Sequence, residues 1–137
     1  MRFWLFVEGS GGIPSWSTDP SNGNHVVVNG TDSAGTLAED MKKYLQVAAS
    51  MDILIVWTLW NGAVLRDNRT LGMIIEPDGT TLQSFIDNAL TPLVIALKDQ
   101  PGLGGWEIMN EPEGTTTTVC LFVCLFVCLL EGTTTVC

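Results

Sequence analysis

The stretch GGWEIMNEPEG, residues 104–114, has the pattern of a short buried strand whose last residues are polar. Its tryptophan, isoleucine and methionine are apolar strand residues, and glycines flank them on both sides. Asn110 and Glu111 follow at the point where Pro112 prevents the strand from continuing. An amide and a carboxylate at the end of a buried strand are costly to place there for packing alone. The stretch therefore predicts either a functional strand end or an ordinary turn.

Two strands and two helices are predicted ahead of this stretch. Residues 2–8 are rich in phenylalanine, tryptophan and valine, and residues 53–60 form the nearly continuous apolar run of a parallel strand buried on both faces. Apolar residues recur at helical spacing over 36–51 and 81–99, and Pro92 is expected to kink or split the second helix. The order strand, helix, strand, helix, strand predicts a parallel sheet.

The segment between the first strand and the first helix is predicted to be a long loop. Residues 9–34 are rich in glycine, serine, asparagine, aspartate and proline, and a loop of this length in a compact domain is usually functional. It contains Trp16 and His25, and the histidine is interpreted as a solvated residue. Thr36 and Glu39 have the spacing of a capping box for the helix that follows.

The residues at the strand ends favour one fold class. Each predicted strand ends in polar or aromatic residues, namely Glu8, Trp60-Asn61 and Asn110-Glu111, and longer loops follow them. This asymmetry is typical of a (β/α)8 TIM barrel, whose active site lies at the carboxyl ends of the strands. A doubly wound sheet is the alternative, but no nucleotide-binding loop supports it. Because such a barrel has eight strands, the α/β fold is predicted here as a partial barrel.

The sequence changes character after Gly114. Residues 115–137 consist of threonine runs and a repeated Leu-Phe-Val-Cys unit, and they contain all four cysteines of the chain. Their apolar run, 119–130, is too short to cross a bilayer, which takes about 20 residues. We therefore expect residues 1–114 to form the folded part and residues 115–137 to be a low-complexity tail that lies outside the fold.

Composition limits the classes of ligand and partner. The net charge is −9, from six basic and fifteen acidic residues, and no basic run occurs, so neither nucleic acid nor an anionic membrane is expected as a partner. The chain has one histidine, which excludes a multi-histidine metal site. No metal and no other cofactor is expected. Five tryptophans suit a neutral ligand that stacks on aromatic rings.

Three segments together carry a family likeness. Residues 2–9, 58–62 and 105–114 resemble glycoside hydrolase family 5, and within it the endo-β-1,4-mannanases of molluscs and arthropods. The resemblance covers residues 1–114. It implies a (β/α)8 barrel in which the three predicted strands are the second to the fourth, so that the first strand and the fifth to eighth would be missing. It also implies retaining hydrolysis of β-1,4-mannan, a polysaccharide.

The resemblance assigns roles at the strand ends. It implies that Glu111 is the general acid/base, that Asn110 binds the sugar 2-hydroxyl, and that Arg2 lies beneath the nucleophile. A retaining glycosidase needs a second carboxyl group about 5–5.5 Å from the first. The resemblance places that nucleophile on the seventh strand, which is missing from the chain. Glu8 and Glu107 are interpreted as structural or hydrogen-bonded carboxylates.

Substrate contacts are expected from Trp60, Asn61 and Trp16. Tryptophan rings stack on sugar faces, although Trp60 at a strand tip is equally compatible with the core. Because the nucleophile is missing, we expect this truncated form to be inactive. Two alternatives remain open, a catalytically dead remnant with weak polysaccharide binding and a β-1,4-glucanase of the same family.

A secreted origin is implied by the resemblance. Two glycosylation sequons in predicted loops, Asn29-Gly30-Thr31 and Asn68-Arg69-Thr70, agree with it. No signal peptide is visible at the start of the sequence.

Overall fold

The computed structural model describes residues 1–6, 14–22, 25–63, 72–76 and 79–111. Glu8, the sequon at Asn68 and the tail over 115–137 lie outside the described residues, and so does Pro112.

The described residues form strands, α-helices and short 3-10 and π-helical turns. The strands are β1 (Arg2–Trp4), β2 (Ser15–Asp19), β3 (His25–Gly30), β4 (Ile55–Asn61) and β5 (Leu103–Asn110). The helices are α1 (Leu37–Ser50), α2 (Thr80–Phe85) and α3 (Thr91–Leu97), with a π-helical turn at Ile86–Leu90 and 3-10 turns at Pro20–Asn22 and Met73–Ile75.

Three strands form the parallel sheet that the sequence predicts. The order is β1-β4-β5, and β4 pairs in parallel with both neighbours. In β4 the residues from Trp57 to Trp60 are all buried, so side chains on both faces of this strand are covered. The apolar run therefore marks a central strand, and the α/β class of the fold is confirmed for the described residues.

The long predicted loop contains a hairpin, so the prediction for residues 9–34 is wrong where they are described. β2 and β3 pair antiparallel, from Ser15 opposite Gly30 to Asp19 opposite His25. The three consecutive valines of β3 are good strand residues, but the surrounding glycine, asparagine and proline hide this signal.

Helix α2 and the π-helical turn that follows it bind the hairpin through polar side chains. The Thr81 hydroxyl donates to the Val26 carbonyl oxygen (2.8 Å), and Asn88 Nδ2 donates to the Val28 carbonyl oxygen (2.8 Å). The Val28 N–H donates to Ser84 Oγ (2.9 Å). These bonds satisfy backbone groups of β3 with side chains of the helical layer, and they tie the hairpin to that layer.

Pro92 splits the second predicted helix, as expected. It lies in the first turn of α3, and the π-helical turn comes immediately before it. Proline has no N–H to donate to the carbonyl four residues earlier, so a wider turn at this point accommodates the missing bond.

The start of α1 is capped by Asp32, and the predicted capping box is wrong. The Thr36 side chain makes no capping hydrogen bond. Instead the Asp32 carboxylate accepts from the N–H groups of Thr36 (2.9 Å) and Leu37 (3.3 Å) and from the Thr31 hydroxyl (2.8 Å). Burial acts to raise the pKa of Asp32, but these hydrogen bonds, with one from Gly35, outweigh it and lower the pKa below its ordinary value.

Gly102 allows α1 to pack on the start of β5. A Cβ atom at this position would lie 2.1 Å from the Leu45 carbonyl oxygen, which is far inside contact distance. Leu45 is itself fully buried in the core between α1 and the sheet. Among the described residues, no helix is long and apolar enough to cross a membrane.

The hairpin contact predicts that Thr81→Val destabilises the protein. Valine keeps the shape but leaves the buried Val26 carbonyl oxygen without its donor, and such a loss costs about 1–3 kcal/mol. Urea denaturation followed by tryptophan fluorescence measures this change. Thr36→Val is the matched control, because that exposed threonine makes no capping bond, and an equal loss in both variants would contradict the assignment.

The Asp32 cap predicts a pH-dependent contribution to stability. Because its pKa is lower in the folded than in the unfolded chain, the stabilisation is complete above about pH 4 and is lost as the pH falls through the folded-state pKa. Asp32→Ala should cost about 1 kcal/mol at neutral pH and less in acid. Thermal melts of both proteins across this range test it, and a cost that does not change with pH would contradict it.

Candidate active site

The carboxyl ends of β4 and β5 meet at one edge of the sheet. Asn61 is paired in register with Asn110, and exposed Glu111 follows directly. Gly62 permits this approach, since a Cβ atom there would lie 2.3 Å from the Glu111 carbonyl oxygen. The two strand tips are therefore closer together than any other residue at position 62 would allow.

Glu111 has an unusual backbone conformation. Its φ angle is +52°, in the left-handed region that non-glycine residues seldom adopt. The conformation turns the chain sharply after the last residue of β5. Such conformations cost about 1–3 kcal/mol, and they cluster at functional sites.

Four polar side chains from three strands form a hydrogen-bonded cluster beside this end. Arg2 Nε donates to Glu107 Oε2 (2.6 Å) and shares its proton with Thr58 Oγ1 (2.9 Å). The Thr58 hydroxyl donates to the same Glu107 oxygen in a short hydrogen bond. Arg2 Nη2 donates to Asn110 Oδ1 (2.8 Å). The guanidinium thus joins β1, β4 and β5.

Burial is uneven across this cluster. Thr58 is fully buried, whereas the side chains of Arg2 and Glu107 are 44% and 38% exposed. An ion pair this exposed contributes at most about 1 kcal/mol, so its main effect is to hold groups in position. The interpretation of Glu107 as a hydrogen-bonded carboxylate is confirmed.

The structure brings together only part of the predicted site. Asn110 ends β5 and Glu111 follows it, while Arg2, the first residue of β1, reaches Asn110 with its guanidinium. Asn61 lies at the same edge, where its Oδ1 accepts from the Ala63 N–H (3.2 Å). Thr58 was missed by sequence reasoning, because only the register shows that it stands opposite Glu107.

The tryptophans lie elsewhere. Trp60 is fully buried, stacked on Phe6 with ring centroids 5.2 Å apart and edge-on to Phe85 at 5.0 Å. Both rings cover it, which corrects the prediction of sugar stacking in favour of the core alternative. Trp16 is partly buried on β2 and packs against the core, and no described contact joins it to the cluster.

The described part of the chain offers no set of side chains that could bind a metal ion. No group of three or more histidine, cysteine, aspartate or glutamate side chains is placed to hold an ion there. What the strand edge offers is an exposed carboxylate, an oriented amide and a guanidinium. Such groups suit proton transfer to, and hydrogen bonding with, a hydroxyl-rich ligand.

In α/β enzymes the active site lies at the carboxyl edge of the parallel sheet, and comparison with known proteins narrows the class. No protein-family model matches the chain. It is 45% identical over 116 residues to a mannan endo-1,4-β-mannosidase of Mytilus edulis, an alignment that covers 83% of this chain and 29% of the relative.

Solved structures agree with this relative. The β-1,4-D-mannanase from Cryptopygus antarcticus matches with a TM-score of 0.68 and 37% identity, over 82% of this chain and 29% of that one. The β-1,4-mannanase from the sea hare Aplysia kurodai gives 0.67 and 36%, over 83% and 30%. The chain is therefore homologous to the endo-1,4-β-mannanases, which are glycoside hydrolases, and the predicted resemblance is confirmed. It spans about 29% of the length of the relatives it matches.

The contact between Gly62 and Glu111 predicts that Gly62→Ala disturbs the strand edge. The added methyl group must push the tips of β4 and β5 apart, and overpacking of this kind costs about 1–3 kcal/mol. Amide NMR shifts of Asn110 and Glu111, together with the melting temperature, measure the effect. Gly30→Ala serves as the control because a Cβ atom there makes only ordinary contacts. Unchanged shifts in Gly62→Ala would refute the proposed steric role.

Proposed function

We propose that this chain carries the general acid/base, Glu111, of an endo-acting, retaining β-1,4-mannanase. The observation that supports this best is an exposed carboxylate in a left-handed turn at the carboxyl end of a parallel strand, directly after an amide held by Arg2. The homology to mannan endo-1,4-β-mannosidases supports mannan as the substrate.

We propose further that β1, β4 and β5 are the second, third and fourth strands of a (β/α)8 barrel. Their parallel order and the helices between them agree with this placement. On this proposal residues 1–114 are part of the barrel and residues 115–137 lie outside it. The remaining strands would come from the part of the relatives' length that this chain does not span.

In the proposed mechanism Glu111 protonates the glycosidic oxygen as the bond to the leaving sugar breaks. It then removes a proton from the water that releases the glycosyl group. Asn110 donates from its amide to a hydroxyl of the sugar, which positions the reacting ring. Asn61 is proposed to contact substrate from the neighbouring strand tip.

The second carboxylate is proposed to lie outside this chain. Glu107 is an unsuitable nucleophile, because one of its oxygens already accepts from both Arg2 and Thr58. A nucleophile from a later strand would approach the same guanidinium, whose positive charge favours an ionised carboxylate. Secretion is proposed as well, since a polymer such as mannan is too large to reach an enzyme inside a cell.

The test replaces the homologous segment of the Mytilus edulis mannanase by residues 1–111 of this chain and measures reducing sugar released from β-1,4-mannan. The chimera should hydrolyse mannan, and Glu111→Gln should lower its kcat by about 10²- to 10⁴-fold, because general acid/base catalysis contributes a factor of this size. The unmodified 137-residue chain, assayed alongside, should show no turnover.

The control is Glu39→Gln, the same chemical change in the exposed ion pair with Lys42 on α1, which should leave kcat unchanged. A chimera that folds without hydrolysing mannan would instead support the catalytically dead remnant. Preferential hydrolysis of β-1,4-glucan would support the glucanase. Full activity of Glu111→Gln would overturn the assigned role of Glu111.

A further inference from the structure

The cluster beneath the strand edge forms a chain of contacts that ends at Asn110. Thr58 and Glu107 both bind Arg2 Nε, while Arg2 Nη2 reaches the amide of Asn110. The buried end of this chain, Thr58, is fixed by the core. The contacts therefore lead from Thr58, a buried residue of the central strand, through Arg2 to the amide of Asn110.

Hydrogen-bond chemistry decides which end of the Asn110 amide faces Arg2. A guanidinium has donors only, so the atom opposite Nη2 has to be the amide oxygen. The NH2 group of Asn110 then points away from the guanidinium, and it can only donate. The partner of this NH2 group therefore has to be a hydrogen-bond acceptor, such as a sugar hydroxyl oxygen.

The guanidinium is held in its plane by the pair beneath it. Arg2 is 44% exposed, and an exposed arginine side chain has many rotamers, so it loses conformational entropy when it is fixed. Two acceptors on Nε, one of them charged, restrict the rotation of the group. The Thr58 hydroxyl in turn donates to Glu107, which orients the carboxylate.

We propose that Thr58 and Glu107 are positioning residues, which act through Arg2 to hold the Asn110 NH2 group toward a ligand hydroxyl. Neither of them is proposed to touch the sugar. The contact with a ligand hydroxyl rests on the proposed function, but the orientation of the Asn110 amide by Arg2 does not. The orientation and the ligand contact can therefore be tested separately.

NMR spectroscopy of the ¹⁵N-labelled 137-residue chain tests the hold on Asn110 without any ligand. The side-chain NH2 signals of Asn110 are assigned by their loss in Asn110→Asp. In Thr58→Val and in Glu107→Gln these signals should shift, and the Arg2 Nε–H signal should exchange faster with water. Thr58→Ser restores the hydroxyl and should restore both signals.

Glu39→Gln on α1 is the control for a distant carboxylate-to-amide change, and backbone amide signals of α1 report that each variant is folded. Asn110 signals that stay unchanged in both Thr58→Val and Glu107→Gln would overturn the proposal. So would Thr58→Ser behaving like Thr58→Val, because the hydroxyl would then have no part in the effect.

The part of the proposal that concerns the ligand is tested by titrating β-1,4-mannotetraose into the chain and its variants and measuring the affinity. Binding to the wild type that weakens about three- to tenfold in Thr58→Val, the cost of one hydrogen bond, supports the complete proposal. Equal affinity of the wild type and Thr58→Val overturns the positioning role toward the ligand. If the isolated chain does not bind, the chimera with the Mytilus edulis mannanase decides: equal KM for β-1,4-mannotetraose with and without Thr58→Val overturns the positioning role toward the ligand, whereas a folded chimera that does not hydrolyse mannan counts against the proposed function alone.

Discussion

Strand β4 pairs in parallel with β1 on one side and with β5 on the other, and side chains on both of its faces are buried. Parallel pairing forces the chain to return to the same end of the sheet before each new strand, so the helices lie in the crossovers. It also gathers the carboxyl ends of the strands at one edge. The position of every polar group in the candidate site follows from this pairing.

The polar cluster is a consequence of register within that sheet. Thr58 stands opposite Glu107, and Arg2 stands opposite Val56, two residues earlier on β4. Residues two apart in a strand project from the same face, so the arginine reaches toward both. A shift of one residue would send Thr58 to the other face and separate it from the ion pair. Packing of the apolar residues in β4 thus fixes the polar contacts.

Sequence patterns predicted the features that depend on neighbouring residues. The apolar run of β4, the helical spacing of α1, the break at Pro92 and the polar end of β5 are all local signals, and the parallel order follows from their alternation. The hairpin was missed because its turn-forming residues outnumber the valines of β3. Asp32 was missed as a cap because it stands four residues before Thr36, outside the usual spacing.

The contacts of Thr58 and the burial of Trp60 depend on parts of the chain far away in sequence. Thr58 meets Glu107 across 49 positions. Trp60 is enclosed by Phe6, near the start of the chain, and by Phe85 on α2. A strand-tip position predicts access to a site, but it does not say which loop or helix covers the side chain. Only the packed structure distinguishes these two cases.

Among the described residues, the non-glycine residues Asp52 and Glu111 adopt left-handed backbone angles, with φ of +57° and +52°. For Asp52 the reason is structural: the turn lets the Ile53 N–H donate to the Ala48 carbonyl oxygen (2.9 Å) and closes the end of α1. At Glu111 the described contacts give no comparable helix end to close, and Gly62 makes room for its carbonyl group. Both turns thus end an element of secondary structure, α1 at Asp52 and β5 at Glu111, and the second also depends on the close approach that Gly62 permits.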